Sequence, residues 1–181
     1  MDTTSIIALR KTDKVKWIAI TALFMAFNII MSSVGIPVPG GHLYLCDVII
    51  CTAALLLDPL AAFIVGGIGS FLGDFLFYPA PMFVSLVTHG LQAVVISVIA
   101  SRGLGDKKKH FTFSLIGTLI GGIIMVVGYT LGKTFVYSTF EYAMVKLPYE
   151  IAQALLGVFG SLFLYFKAGL GNIYKRMGLN S

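Results

Sequence analysis

Apolar stretches long enough to cross a bilayer recur along nearly the whole chain, and this fixes the solvent in which it folds. About 20 predominantly apolar residues span a hydrocarbon core roughly 30 Å thick. Such stretches run over about 16–35, 47–58, 60–78, 82–101, 113–138 and 145–168. Of the 181 residues 57% are hydrophobic and 12% charged, about half the charge of a soluble domain. Six spans leave little chain for loops, so the expectation is an all-α integral membrane protein: one domain over 1–181, with six transmembrane helices. The second span is short. Asp58-Pro59 separates it from the third, because proline disfavours helix in the residue before it and donates no amide of its own.

Arg10, Lys11, Lys14 and Lys16 precede the first span as the charged start of a signal peptide would, but the apolar run continues to about Gly35 without a small-residue cleavage pattern. A retained helix is expected. Arg102 and Lys107, Lys108 and Lys109 lie between the fourth and fifth spans, and Lys167, Lys175 and Arg176 follow the sixth, so eleven of the thirteen basic residues fall on one side of an even number of crossings. Short cytoplasmic loops retain lysine and arginine, which places both termini in the cytoplasm of a plasma-membrane protein. The net charge of +5 is then a topology signal whose partners are lipid headgroups, and no nucleic-acid partner is implied. The lysine triplet is read as part of that signal, with contact to a cytoplasmic protein as the alternative. Cys46 and Cys51, the only cysteines, share no helix face and suggest neither a disulfide nor a metal site.

Three segments face outside on this topology: 36–47, the turn at Pro79-Ala80-Pro81, and about 139–148. The first carries Pro37, Pro39, Gly40 and Gly41 followed by His42 and Tyr44, a shaped, non-helical segment suited to a lid. Ionisable groups inside hydrocarbon are costly, so each is a site candidate with a structural rival. His89 and Gln92 are three apart and share a face, as do Glu150 and Gln153 in the first turns of the sixth span. Tyr129, Lys133 and Tyr137 form a stripe in the outer half of the fifth span, and Asp74 lies in the outer part of the third. The rival readings are an Asp74–Lys133 structural pair, a His89 bond to a neighbouring carbonyl, a Glu150 held by a helix N-terminus near Pro148, and an Asn28 that links helices. The inner halves hold almost nothing polar, which argues for a cavity open outside and sealed below. Ala22 and Ala26, four apart beside Ala19, make a smooth face for another helix, whereas Gly66, Gly69 and Gly73 suit packing within the protein.

No GxxxxGK[ST] nucleotide loop, GxSxG or HExxH occurs, and no soluble domain is available to house an ATPase. Neither an enzyme nor a cofactor protein is expected, and a chain without two similar halves is small for a repeat-built transporter. A stand-alone carrier or channel needs a polar path through the inner half, and an intramembrane enzyme built on His89, Asp74 and Glu150 lacks a metal or nucleophile signature.

The strings GHLYLCDVI at 41–49, GGIGSFLGD at 66–74, THGLQA at 88–93 and LPYEIAQALLG at 147–157, with Ala22/Ala26 and the six-span size, resemble the substrate-binding S components of energy-coupling factor (ECF) vitamin transporters, especially the riboflavin-transporter-like branch, over about 16–168. The resemblance implies a vitamin binder that docks on a transmembrane scaffold (T) subunit and two ATPase (A) subunits through the alanine face of its first helix. It also implies ligand contacts from the first loop and helices four to six. Glu150 stands where an asparagine often opens the sixth helix. A carboxylate there accepts from an amine or hydroxyl on an aminopyrimidine or pyridine ring, so the expected ligand is a vitamin B6 vitamer or hydroxymethylpyrimidine, with riboflavin as the alternative. The expected binding set is His42, Tyr44, His89, Gln92, Tyr129, Lys133, Glu150 and Gln153.

Overall fold

The computed structural model describes residues 13–39 and 41–176; Arg10, Lys11 and Gly40 of the sequence reading lie outside these, as do the side chains of Lys175 and Arg176. Helix α1 (Lys14–Ser33) leads into a two-stranded antiparallel hairpin, β1 (Gly35–Val38) and β2 (Gly41–Tyr44), and then into α2 (Cys46–Leu56). Four long helices follow as α3 (Pro59–Phe77), α4 (Met82–Ser101), α5 (Lys107–Tyr137) and α6 (Phe140–Lys167), and α7 (Leu170–Arg176) ends the described chain. Five of these helices are long and apolar enough to cross a membrane. At 1.5 Å per residue α2 reaches only about 16 Å, short of a bilayer core, so the second expected span is a buried half-length helix. Every residue of α2 except Val48 and Ile49 is buried, and the long helices surround it.

Local chemistry sets the helix ends. Asp13 begins α1, its carboxylate accepting the Lys16 amide at 3.1 Å, and these contacts hold its carboxyl below the usual range. Asp58 caps α3, accepting from the Leu60 and Ala61 amides, with Pro59 in the first turn where a missing N–H costs nothing. It also accepts from the indole of Trp17, tying the start of α1 to the α2–α3 corner. Asp106 caps α5 through the Lys108 and Lys109 amides, which explains why that helix starts inside the basic run rather than at the expected residue 113.

The sixth span departs most from expectation. Thr139 caps α6 by accepting from the Tyr142 amide, and the helix runs through Pro148, so the segment 139–148 is helical and not an outer loop. Proline removes one internal hydrogen bond, which a membrane helix braced by neighbours tolerates. Glu150 therefore sits well inside α6, and a helix N-terminus does not stabilise it.

Small residues bring the helices together. A Cβ on Gly66 would lie 2.7 Å from the His89 carbonyl oxygen, and one on Gly73 would lie 2.9 Å from Ser32. Asn28, fully buried, donates to the Val65 carbonyl at 2.7 Å and to Ser70 Oγ at 3.1 Å, linking α1 to α3. Towards the Asp58 end the bundle is filled by Ile50, Ala53, Ala54, Leu55, Leu57, Ala61, Val65, Ile96 and Ala100. Large apolar side chains such as Leu23, Phe27, Ile123, Phe135 and Phe159 point outward, as a lipid-facing surface requires.

A candidate ligand cavity under the hairpin

At the end opposite Asp58, a cavity of about 360 Å³ lies between the hairpin and α1 to α6. The hairpin register pairs Gly35 with Tyr44 and Pro37 with His42. Gly41 has φ +127°, which only glycine adopts freely, and a Cβ there would come within 3.3 Å of the Tyr142 hydroxyl and 3.4 Å of Lys146 Nζ. The strand therefore lies against α6 as a cover. Tyr44 keeps its proton, since burial and then the Asp74 charge push the phenol above its usual range.

Of the residues expected from sequence, His42, Tyr44, His89, Tyr129, Lys133, Glu150 and Gln153 line this cavity, and Gln92 does not. Gln92 is 1% exposed and stands behind the wall. Its amide bridges His89 Nδ1, at 2.7 Å, and Asp47 Oδ1, at 2.9 Å. Gln153 donates to Asp47 Oδ2 at 2.6 Å and accepts the Tyr44 backbone N–H at 3.0 Å. Asp47, a span boundary in the sequence, is 1% exposed and joins both glutamines. The one sequence signal was an acid at the head of an otherwise apolar helix.

Lys133 pairs with Glu150, not with Asp74, and both are almost fully buried. Tyr129 and Tyr137 flank the ammonium, with ring centres 5.1 and 5.9 Å from Nζ. Among the described residues Glu150 Oε2 has no hydrogen-bond partner. Asp74 accepts from Ser85, which also bonds the Tyr129 hydroxyl. His89 bonds Gln92 and not a neighbouring carbonyl, and its ring meets Tyr129 edge-on at 5.3 Å. Lys146 and Tyr142, both within the segment 139–148 expected to face outside and neither in the expected binding set, also line the cavity. Among the described residues Lys146 has no carboxylate within 4.0 Å; its ammonium lies 5.8 Å from the Tyr44 ring centre.

Ligand atoms of Cys46, Asp47 and His89 all lie within 4.8 Å of one another, a spacing that a metal ion tolerates. Gln92 already bridges Asp47 and His89 by hydrogen bonds.

A half-enclosed cavity between membrane helices, lined with opposed charges and tyrosines and closed below by packed aliphatic side chains, defines a membrane-embedded binding protein for a small polar molecule. The family model for the ECF-type riboflavin transporter S component matches residues 12–170, and the chain belongs to that family. It is a multi-pass protein of the plasma membrane and a substrate-capture subunit, not an enzyme, acting on a small-molecule vitamin with the T and A subunits of ECF transporters. It is also 32% identical over 145 residues to the "Uncharacterized protein in gap 3'region" of Pyrococcus woesei, covering 79% of this chain and 90% of that one. A UPF0397 protein of Lactococcus lactis subsp. lactis, YdcD, is 24% identical over 136 residues, covering 71% and 75% respectively.

Proposed function

We propose that the chain captures a vitamin B6 vitamer or hydroxymethylpyrimidine from outside the cell and presents it to an ECF module of one T and two A subunits. The observation that carries the ring class is the Lys133–Glu150 pair: one carboxylate oxygen is held by Lys133 and the other is buried without a partner. A buried unsatisfied acceptor costs about 1–3 kcal/mol, which a ligand N–H or O–H recovers. The ammonium beside it donates to a ring nitrogen or phenolate. This donor and acceptor, side by side, complement an aminopyrimidine or hydroxypyridine edge, and Tyr129 or Tyr137 offers a ring face. Asp74 and Lys146, neither ion-paired among the described residues, extend the same polarity along the walls.

Riboflavin, the substrate in the family's description, is the competing reading. Native mass spectrometry of the detergent-purified protein tests both: a stoichiometric pyridine or pyrimidine supports ours, and a flavin overturns it. Glu150→Gln is expected to weaken the B6 or pyrimidine ligand by about 10- to 100-fold, the loss of one or two charge-assisted hydrogen bonds. Unchanged affinity in both Glu150→Ala and His89→Ala removes the site. Trp17, the single tryptophan, bonds Asp58 at the far end of the bundle, so calorimetry reads binding more directly than tryptophan fluorescence.

The basic residues at the Asp58 end support a cytoplasmic orientation of that end, which leaves the hairpin outside. His42 and Tyr44 then close over the ligand. Gly41→Ala introduces strain of about 1–3 kcal/mol and crowds Lys146, so a faster ligand dissociation in stopped-flow or filter assays is the expected outcome.

Ala22 and Ala26 are exposed on α1, the least buried of the five long helices, with 17% of its apolar window covered against 33–44% for the others. This supports their assignment to the T-subunit contact. Leucine at both positions is expected to abolish co-purification with the T subunit while the vitamin still binds; retained assembly moves the interface elsewhere.

A further inference from the structure

We propose that Asp47 is a positioning residue that sets the hydrogen-bond polarity of the His89 and Gln153 side of the cavity, fixing His89 as an acceptor towards the ligand and holding the hairpin by its Tyr44 amide. The proposal rests on the capture reading for its use, but not for its test.

The donor and acceptor capacity of each group fixes these orientations. A carboxylate only accepts hydrogen bonds. Gln92 must therefore turn its NH₂ to Asp47 Oδ1, at 2.9 Å, which leaves its carbonyl oxygen facing His89 Nδ1 at 2.7 Å. That oxygen cannot donate, so His89 carries its proton on Nδ1, and in the neutral ring Nε2 keeps a free lone pair. On the other arm, Gln153 must turn its NH₂ to Asp47 Oδ2, at 2.6 Å, and its carbonyl oxygen is thereby presented to the Tyr44 backbone N–H at 3.0 Å. One carboxylate thus orients two amides, one imidazole and one lid strand.

The geometry around Asp47 suits this role. It is 1% exposed, with Gln92 at 1% and His89 at 2%, so water does not compete for these bonds. A Cβ on Gly157 would lie 2.9 Å from Asp47 Cβ, and that missing side chain is what lets α6 reach α2 closely enough for Gln153 to bond. For the ligand the consequence is chemical. His89 Nε2 and the unpaired Glu150 oxygen are both acceptors, so the cavity selects molecules bearing more than one N–H or O–H group and penalises isosteres in which these are methylated.

Two readouts on the ligand-free, detergent-purified full chain test this. The first is ¹⁵N NMR of histidine-labelled protein, in which only three residues report. His89 is expected as the Nδ1–H tautomer at a pH where it is neutral, and in Asp47→Asn it shifts towards a mixture or towards Nε2–H, because the asparagine amide lets Gln92 reverse. The second is hydrogen exchange of the Tyr44 amide, which is expected to speed up by about tenfold or more in Asp47→Ala, with helix α4 unchanged. Should Asp47→Ala fail to fold, Gln153→Leu removes the same tether and is expected to release Tyr44, whereas Gln92→Leu frees the His89 tautomer and leaves Tyr44 protected. An Nε2–H tautomer in the wild type, or Tyr44 protection within about twofold of wild type in Gln153→Leu, overturns the proposal. Because no ligand is added, an error in the vitamin assignment leaves both results readable.

Discussion

Lys133→Met is expected to destabilise the protein by about 3–5 kcal/mol, because it leaves the Glu150 carboxylate buried without its counter-ion. The two side chains are 3% and 4% exposed, so water offers little compensation, and Tyr129 and Tyr137 close the space around the ammonium. The double variant Lys133→Met with Glu150→Leu separates stability from function. Replacing a whole buried pair by apolar groups is often neutral or stabilising, so the double variant recovers thermal stability in detergent while losing the ligand. A pair kept for architecture alone would give a stable double variant that still binds. Thermal unfolding followed by circular dichroism, with ligand binding on the same samples, distinguishes the two.

Gly66→Ala carries the second large effect. The added Cβ would sit 2.7 Å from the His89 carbonyl oxygen and 2.8 Å from Ala93 Cβ, closer than such atoms approach, and the first of these is backbone that cannot swing aside. Helices α3 and α4 must separate locally, at a cost of about 1–3 kcal/mol for an overpacked core. The displacement falls on His89, so a lower melting temperature and weaker ligand binding are expected together. Gly169→Ala, with no atom within 4 Å of the added Cβ but φ +79°, tests strain without crowding: it is expected to lower stability by about 1 kcal/mol and leave binding as it was.

Much of the architecture was readable because the bilayer imposes so simple a code. Apolar runs set the helices, Asp58-Pro59 set the α2–α3 corner, and the Pro-Gly segment before His42 announced a shaped cover, although not that its strands would pair. Pro148 misled for a physical reason. A proline's cost is judged from its lost hydrogen bond, yet neighbouring helices in a membrane carry that loss, and so α6 extends to Phe140 and puts Lys146 and Tyr142 on the cavity wall. Residue type and depth found seven lining residues, since spacing places them on inward faces. The pairing pattern was not legible: Lys133 turned to Glu150 and not Asp74, and Gln92 turned away from the cavity, because these choices depend on side-chain reach across helices separated by many residues in sequence. Asp47 was hidden by its position at the start of an apolar helix, where a carboxylate ordinarily serves the helix terminus.

We propose that a small hydroxylated or amino-substituted ring is captured against Lys133 and Glu150. Isothermal titration of the purified chain with pyridoxine, pyridoxamine, hydroxymethylpyrimidine and riboflavin, repeated on Glu150→Gln, tests it most directly. One-to-one binding of a pyridine or pyrimidine is expected, weakened by about 10- to 100-fold in the variant. Binding of riboflavin alone, or equal binding by both proteins, would contradict it.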